Sequence, residues 1–165
     1  LVLVLLIPIL WVSVAERYNE ALTALARAAL PSGLSLTALG SQIVIEQSGA
    51  APFSIDGFML HYGLILLAIL VLAAVGIGFV ARVGWLLGMG AGAFVVHVIG
   101  VALLARGVAW AYGDTPSEAL DTLVFSAFAV FWGLLPAVIG GVWCIKYWLP
   151  RVTAQGTVKR VEGEG

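Results

Sequence analysis

Two long apolar runs, residues 58–80 and 83–105, limit what this chain can fold into. Neither run contains an Asp, Glu, Lys or Arg residue. Each is about 23 residues long, so a helix rising about 1.5 Å per residue would cross the roughly 30 Å hydrocarbon core of a bilayer. The turn around Arg82 that joins them is too short to reach the other side of a membrane. The pattern therefore predicts a transmembrane helical hairpin.

The composition is typical of a membrane protein with several spans. Of the 165 residues, 62% are hydrophobic and 10% are charged, whereas soluble domains average about 45–50% and 25%. The net charge is −1 and the basic residues are scattered, which argues against a nucleic-acid-binding surface. The single cysteine, Cys144, excludes an internal disulfide and a multi-cysteine metal site.

Two more spans are predicted near the ends of the chain. Residues 1–14 are expected to form the outer part of a first span that begins before Leu1, with Trp11 at the membrane interface. A fourth span is expected to be kinked or loosened near Pro136. The predicted fold class is thus an all-α, antiparallel bundle of four transmembrane helices in one domain, with spans at about 1–14, 58–80, 83–106 and 119–148.

Residues 15–57 are expected to lie outside the membrane. Within residues 15–30, apolar side chains recur at helical spacing and charged ones lie on other faces, which predicts an amphipathic helix. That helix either extends the first span or lies on the membrane surface. The apolar positions are Tyr18, Leu22, Leu25 and Ala29.

A small β-hairpin is predicted to follow this helix. Residues 34–39 and 42–47 are rich in strand-forming residues and flank Gly40-Ser41, a pair that suits a type II′ turn. Because two strands alone are marginally stable, the hairpin must pack on the helices or on the membrane surface. The expected register pairs Ala38 with Ile43 and Leu36 with Ile45.

The distribution of charge predicts the orientation. By the positive-inside rule, the side that is richer in lysine and arginine faces the cytoplasm. Both chain ends, including the tail at 149–165, are then cytoplasmic, and residues 15–57 face outward from a bacterial inner membrane. The basic residues on the cytoplasmic side are Arg82, Lys146, Arg151, Lys159 and Arg160.

His61 and His97 are the only histidines, and they lie on neighbouring predicted spans. Histidines in such positions are typical ligands of haem or chlorophyll. His61 lies about three residues below the outer membrane edge and His97 about nine, which disfavours one haem held by both. Three interpretations stay open: a shared haem, a pigment held by one histidine, and hydrogen bonding within the bundle. No cofactor is required by the sequence.

No catalytic or metal-binding residue is predicted. Ser54, Asp56 and His61 are the residue types of a hydrolase, but no strained turn or oxyanion motif accompanies them. Cys144 lies far from both histidines, so no base is expected near its thiol. Arg106 is expected to reach the outer membrane interface and to form an ion pair with Asp114, Glu118 or Asp121. The sequence therefore favours a protein that is not an enzyme.

Three glycines on the third predicted span are spaced four residues apart. Gly84, Gly88 and Gly92, here called the glycine seam, form a doubled small-xxx-small pattern. Such a pattern allows two membrane helices to approach closely. The seam is therefore predicted to be a helix-packing surface.

The order of these parts resembles the exosortase/archaeosortase group of membrane proteins. The resemblance rests on the extended run Gly40-Ser41-Gln42-Ile43-Val44-Ile45 followed by a helix that opens with Leu60-His61-Tyr62-Gly63. In that group the corresponding helix begins with a cysteine signature, which this chain lacks, and Arg106 matches the group's outward arginine by layout only. The resemblance implies at most a non-catalytic relative.

The expected function is that of a non-catalytic subunit, or an accessory or scaffold protein, in a larger bacterial membrane complex. The glycine seam, the outward hairpin and the tail offer surfaces to lipid and to other membrane subunits, while no nucleic-acid partner is expected. Two alternatives stay open. One is a haem- or chlorophyll-binding subunit of an electron-transfer or photosynthetic complex, and the other is an exosortase-like processing protein.

Overall fold

The computed structural model describes residues 2–74, 76–111 and 118–150. Within these residues the chain forms four α-helices, one short π-helix that continues the last of them, and a three-stranded antiparallel sheet. In chain order the elements are α1 (Val2–Arg27), β1 (Leu34–Leu39), β2 (Gln42–Gln47), β3 (Phe53–Asp56), α2 (Gly57–Ala73), α3 (Phe79–Ala111), α4 (Glu118–Trp143) and the π-helix (Cys144–Trp148).

The predicted fold class, an all-α bundle of four transmembrane helices, is wrong. Among the described residues only α3 is long and apolar enough to cross a membrane. Helix α2 has 17 residues, because the chain turns after Ala73 instead of continuing to residue 80. The predicted first span and the predicted amphipathic helix form one helix, α1, whose second half is charged. The sheet also excludes an all-α class.

The β-hairpin is confirmed in its strands and its register. β1 pairs antiparallel with β2, and Ala38 lies opposite Ile43 as Leu36 lies opposite Ile45. Gly40 has a φ of +60°, as the first turn position of a type II′ hairpin requires. The two strands alone would be marginal, and they gain stability from a third strand and from the helices behind them.

The sequence analysis did not predict the third strand, β3. It pairs antiparallel with β2, from Ile45 opposite Phe53 to Gln42 opposite Asp56. One face of the sheet is buried in the same core as the C-terminal end of α1, the start of α2 and the C-terminal half of α3. That core includes Leu22, Ala26, Leu36, Ile43, Ile45, Leu60, Val101 and Ala105.

Helix α4 packs closely against α2 and α3 at two glycines. A Cβ atom at Gly100 of α3 would overlap the indole of Trp132, and one at Gly63 of α2 would overlap the ring of Pro136. Both contacts bring α4 closer to its neighbour than any side chain on the glycine would allow. Glycine is therefore required for the present helix spacing at both positions.

Arg82 closes the turn between α2 and α3. Its guanidinium donates hydrogen bonds to the backbone carbonyls of Leu72, Ala74 and Ile77, at 2.9, 2.6 and 3.0 Å. The last carbonyls of a helix have no partner within the helix. Arg82 lies in the first turn of α3, and it therefore supplies hydrogen-bond donors to carbonyls at the end of α2 and in the loop that follows.

We predict opposite effects for the same substitution at two glycines of α3. Gly100→Ala should lower the free energy of unfolding by about 1–3 kcal/mol, because its methyl group overlaps Trp132. Gly92→Ala should raise it by about 0.5–1 kcal/mol, since no described atom lies within 4 Å of the added group and alanine favours a helix. SDS-induced unfolding of the purified variants measures both. A shift of the same sign in both variants would contradict this packing.

Candidate functional site

Four helices each direct a ring into one buried cluster. Tyr18 and Trp11 come from α1, His61 from α2, His97 and Phe94 from α3, and Trp132 from α4. Trp11 and Tyr18 are seven residues apart, so they lie on one face of their helix. We call these six residues the ring cluster. The ring cluster includes both histidines of the chain.

Tyr18 lies at the centre of the ring cluster. Its ring meets the rings of His61 and His97 edge-on, with centroid distances of 4.8 and 5.9 Å. Its hydroxyl oxygen lies 2.7 Å from Nδ1 of His97, which is a short hydrogen bond. Burial raises the pKa of the Tyr18 hydroxyl, so this group keeps its proton and is available as a donor.

His97 is held by a second contact on the opposite side. Its ring stacks on that of Trp132, with a centroid distance of 5.1 Å and an interplanar angle of 26°. When the Tyr18 hydroxyl donates to Nδ1, the ring proton of the neutral imidazole lies on Nε2. The hydrogen bond and the stacking together fix the orientation of His97.

His61 is fully buried and lacks such a partner. Neither of its ring nitrogens has a hydrogen-bond partner among the described residues. A neutral imidazole carries one donor and one acceptor, and each one left unpaired in the interior costs about 1–3 kcal/mol. Trp11, whose ring meets that of His61 at a centroid distance of 5.6 Å, has a buried Nε1–H that is also without a partner in this part of the chain. Buried polar groups normally have a hydrogen-bond partner, and the described residues supply none to these nitrogens.

An apolar cavity of about 400 Å³ lies beside the ring cluster. It is bounded by α1, α2 and α3, and its wall includes three rings of the cluster, those of Trp11, Tyr18 and Phe94. Apolar side chains make up the rest of the wall. They are Val14, Leu64, Leu67, Ala68, Leu86 and Met89, with Gly90 completing it.

The structure brings His61 and His97 together, although counting residues from the predicted membrane edge had separated them in depth. Both rings contact Tyr18, a residue that the sequence analysis had placed on the apolar face of α1 without a role. The signal that could have found it is the spacing of Trp11 and Tyr18. Neither histidine lines the cavity beside the cluster, and their role as haem or chlorophyll ligands stays a prediction.

The other predicted residues lie apart from the ring cluster. Arg106 donates a hydrogen bond from Nη2 to the carbonyl of Ala29, just after α1. Asp114 lies outside the described residues, as do the side chains of Glu118 and Asp121, which were expected to pair with Arg106. The glycine seam (Gly84, Gly88 and Gly92) is exposed, and no described atom lies within 4 Å of a Cβ added at any of the three. Its role in helix packing stays a prediction, because none of the described residues packs against the seam.

Ser54 does not join His61 in a hydrolase-like site. Ser54 is an exposed residue of β3, whereas His61 is buried beneath Trp11 and Tyr18. Cys144 is half-buried at the start of the π-helix, in a separate apolar cluster with Trp143. Among the described residues, no group of three or more His, Cys, Asp and Glu side chains could hold a metal ion.

Comparisons of the chain with protein-family models, with curated proteins and with solved structures find no match. The resemblance to the exosortase group therefore rests on layout alone. Its extended run corresponds to the turn before β2 and β2 itself, and its helix opening lies near the start of α2.

We predict that the hydroxyl of Tyr18 stabilises the ring cluster. Tyr18→Phe keeps the ring contacts but leaves Nδ1 of His97 without its partner, so the free energy of unfolding should fall by about 1–2 kcal/mol. The ¹⁵N NMR signals of the His97 imidazole should shift at the same time, since its tautomer is no longer fixed. Tyr62→Phe is the matched control, because Tyr62 is exposed on α2 and should change stability by less than about 0.5 kcal/mol. Equal effects of the two substitutions would contradict this role.

Proposed function

We propose that this protein is a non-catalytic, membrane-integral subunit or accessory protein of a larger membrane complex, anchored in the bilayer by α3. The observation that carries the proposal is the exposed apolar face of α3. Side chains that a soluble protein would bury lie on its surface along the whole helix. The largest are Phe79, Val80, Leu87, Val95, Ile99, Leu103 and Trp110.

The exposure of α3 separates it from the core helix of a soluble protein. A core helix of comparable hydropathy is mostly buried, but only 22% of the most apolar stretch of α3 is buried within the molecule. With 33 residues it is about 50 Å long, which exceeds the roughly 30 Å of a hydrocarbon core. A continuous apolar face of this size marks contact with lipid or with another protein.

The opposite face of α3 belongs to the interior of the molecule. Val101, Leu104, Ala105 and Val108 are buried in the core that α3 shares with α1, α2 and the sheet. One side of α3 therefore packs against the rest of the chain, and the other side is exposed to the surroundings of the molecule. This arrangement supports an anchor that is part of the fold rather than a tether attached to it.

The glycine seam lies on the exposed side of α3, and its pattern favours a protein partner at that surface. A small-xxx-small surface lets the backbone of a second helix come close, and in lipid this close packing drives helix association. The occupant that fits best is a transmembrane helix of another subunit. Within this chain the seam has no such neighbour among the described residues.

The polar part of the molecule supports the predicted outward position of residues 15–57. Arg17 pairs with Glu20 on the exposed side of α1, and Ser35 donates a hydrogen bond to Glu46 on the exposed face of the sheet. We propose that this end lies outside the hydrocarbon, in the aqueous phase next to a bacterial inner membrane.

Replacing one exposed apolar side chain of α3 by a charge tests the anchor. Val95→Arg adds a cation to the exposed face near the middle of the helix. In a bilayer this costs about 2.5–3.5 kcal/mol on insertion scales, so the share of the chain that resists extraction with alkaline carbonate should fall. Ser35→Arg, on the exposed sheet, is the control and should leave that share unchanged. Release of the unmodified chain by carbonate would refute the anchor.

Filling the seam tests the proposed partner. Gly88→Leu should dissociate the complex on native gels after mild solubilisation, because a leucine side chain keeps the partner helix at a distance. Gly141→Leu makes the same change at an exposed glycine of α4 that also has open space around it, and it should leave the complex intact. A chain that migrates as a lone monomer before any substitution would contradict the proposal.

A further inference from the structure

We propose that the π-helix at the end of α4 and the start of α3 bind an anionic phospholipid. The phosphate of the lipid pairs with the ammonium group of Lys146, and its acyl chains lie along the exposed apolar face of α4. This inference rests on the proposed function in one respect, because the site meets lipid when α3 lies in a bilayer. It does not depend on the glycine seam or on a partner subunit.

Lys146 differs from the other cations of the described chain in the groups that it contacts. Arg17 pairs with the carboxylate of Glu20, and the remaining arginines donate hydrogen bonds to backbone carbonyls. These are Arg27, Arg82 and Arg106. The Nζ atom of Lys146 instead lies 5.8 Å from the ring centroid of Trp85 and 5.4 Å from that of Tyr147. No carboxylate or carbonyl oxygen of the described residues pairs with this ammonium group.

The two rings hold Lys146 in place but leave its donors available. Trp85 and Tyr147 meet edge-on, with a centroid distance of 5.5 Å and an interplanar angle of 78°, and a cation is attracted to the faces of such rings. The ammonium group carries three N–H donors, and Lys146 is exposed. A ligand at the surface can therefore reach them. Phosphate oxygens are charged acceptors, which form stronger hydrogen bonds with a lysine than neutral acceptors do.

Lys146 is the middle residue of the π-helix. The backbone N–H of Leu149 donates a hydrogen bond to the carbonyl of Cys144, five residues earlier, whereas an α-helix joins residues four apart. The side chains that follow Trp143 are therefore rotated relative to the regular course of α4. Single turns of π-helix are rare and occur frequently at functional sites. This turn carries the lysine that contacts Trp85 of α3, which supports a function for Lys146 and its surroundings.

The position of Trp85 along α3 places Lys146 at the edge of the hydrocarbon. Because α3 is about 50 Å long and a hydrocarbon core is about 30 Å thick, a centred helix extends about 10 Å beyond the core at each end. Trp85 lies about 9 Å along the helix from Phe79, where α3 begins. Its ring and the Lys146 ammonium beside it then lie at the boundary with the headgroups. Tryptophan and tyrosine are enriched at this depth, and phospholipids carry their phosphates just outside it.

Exposed apolar side chains of α4 form a strip that leads to Lys146. Val138, Val142 and Ile145 are spaced four and three residues apart, so they lie on one face of the helix. Their exposed fractions are 60%, 61% and 67%, and Ile145 directly precedes the lysine. The strip offers hydrocarbon chains a surface that ends at a cation. An amphiphile with acyl chains and a negative headgroup matches both parts.

Other occupants match this surface less well. Free phosphate pairs with a lysine but makes no use of the apolar strip. A zwitterionic phospholipid has acyl chains and a phosphate, but its own ammonium group offsets the charge that Lys146 attracts. An acidic segment of another protein matches the cation and not the strip. An anionic phospholipid such as phosphatidylglycerol combines the two chemical features that lie side by side here.

The experiment compares the binding of phosphatidylglycerol and phosphatidylcholine with identical acyl chains to the full chain, by native mass spectrometry from a mild detergent. We expect the first bound lipid to be phosphatidylglycerol with a preference of roughly fivefold, which is the effect of one cation near a membrane surface. Lys146→Gln should abolish this preference, and Lys146→Arg should retain it. Arg17→Gln is the matched control, because it removes an exposed cation that pairs with Glu20 on α1, and it should also retain the preference.

Three results would overturn the inference. The first is equal affinity of the unmodified chain for the two lipids, a comparison that needs no substitution and so stands if a variant does not fold. The second is an equal preference in Lys146→Gln and Arg17→Gln. The third is displacement of phosphatidylglycerol by inorganic phosphate at an ionic strength at which chloride leaves it bound, which would make Lys146 a site for free anions.

The outcome is separable from that of the proposed function. Lys146→Gln removes a charge and adds none to the apolar face of α3, so carbonate extraction of this variant and its native complex should be unchanged. Loss of the lipid preference alone would support the site at Lys146. Release of the unmodified chain by carbonate would instead refute the anchor, whatever lipid the purified chain prefers.

Discussion

The fold depends on pairing the polar groups that lie among apolar helices with partners from the same chain. Arg82 binds three carbonyls at and after the end of α2. Tyr18 supplies the partner of His97 between α1 and α3. Unpaired groups in an apolar environment cost several kcal/mol. Each of these bonds therefore joins two segments that apolar contact alone would leave free to slide.

Two of the groups outside this rule lie at one place. His61 and Trp11 contact each other, and their nitrogens lack partners among the described residues. Both lie at or just behind the wall of the cavity between α1, α2 and α3. The same helix, α3, borders this cavity on one side and exposes an apolar face on the other. Helix α3 thus separates an internal cavity from the surface that is proposed to face the membrane and a partner.

Local patterns in the sequence predicted the hairpin but not the architecture. Alternation around Gly40-Ser41 is a local signal, so strands and register were correct. β3 is short, follows Pro52 and becomes a strand only by pairing with β2, which no local pattern shows. The four-span bundle failed because hydropathy does not reveal where a helix ends: α2 stops at Ala73, where Arg82 binds the carbonyls that follow. The depth estimate for the histidines counted residues from the outer ends of two helices, and it could not show that the ring of Tyr18, on α1, contacts both histidines.

Spin-label accessibility in phosphatidylcholine liposomes is the most direct test of the proposal that the outer face of α3 lies in hydrocarbon. Labels would be placed at Leu87, Val95 and Leu103, all more than half exposed in the molecule, after Cys144→Ala removes the native thiol. The account predicts frequent collisions with oxygen and rare collisions with a water-soluble nickel complex at all three positions. A label at Ser35 should show the reverse. Frequent collisions with the nickel complex along the whole of α3 would contradict the account.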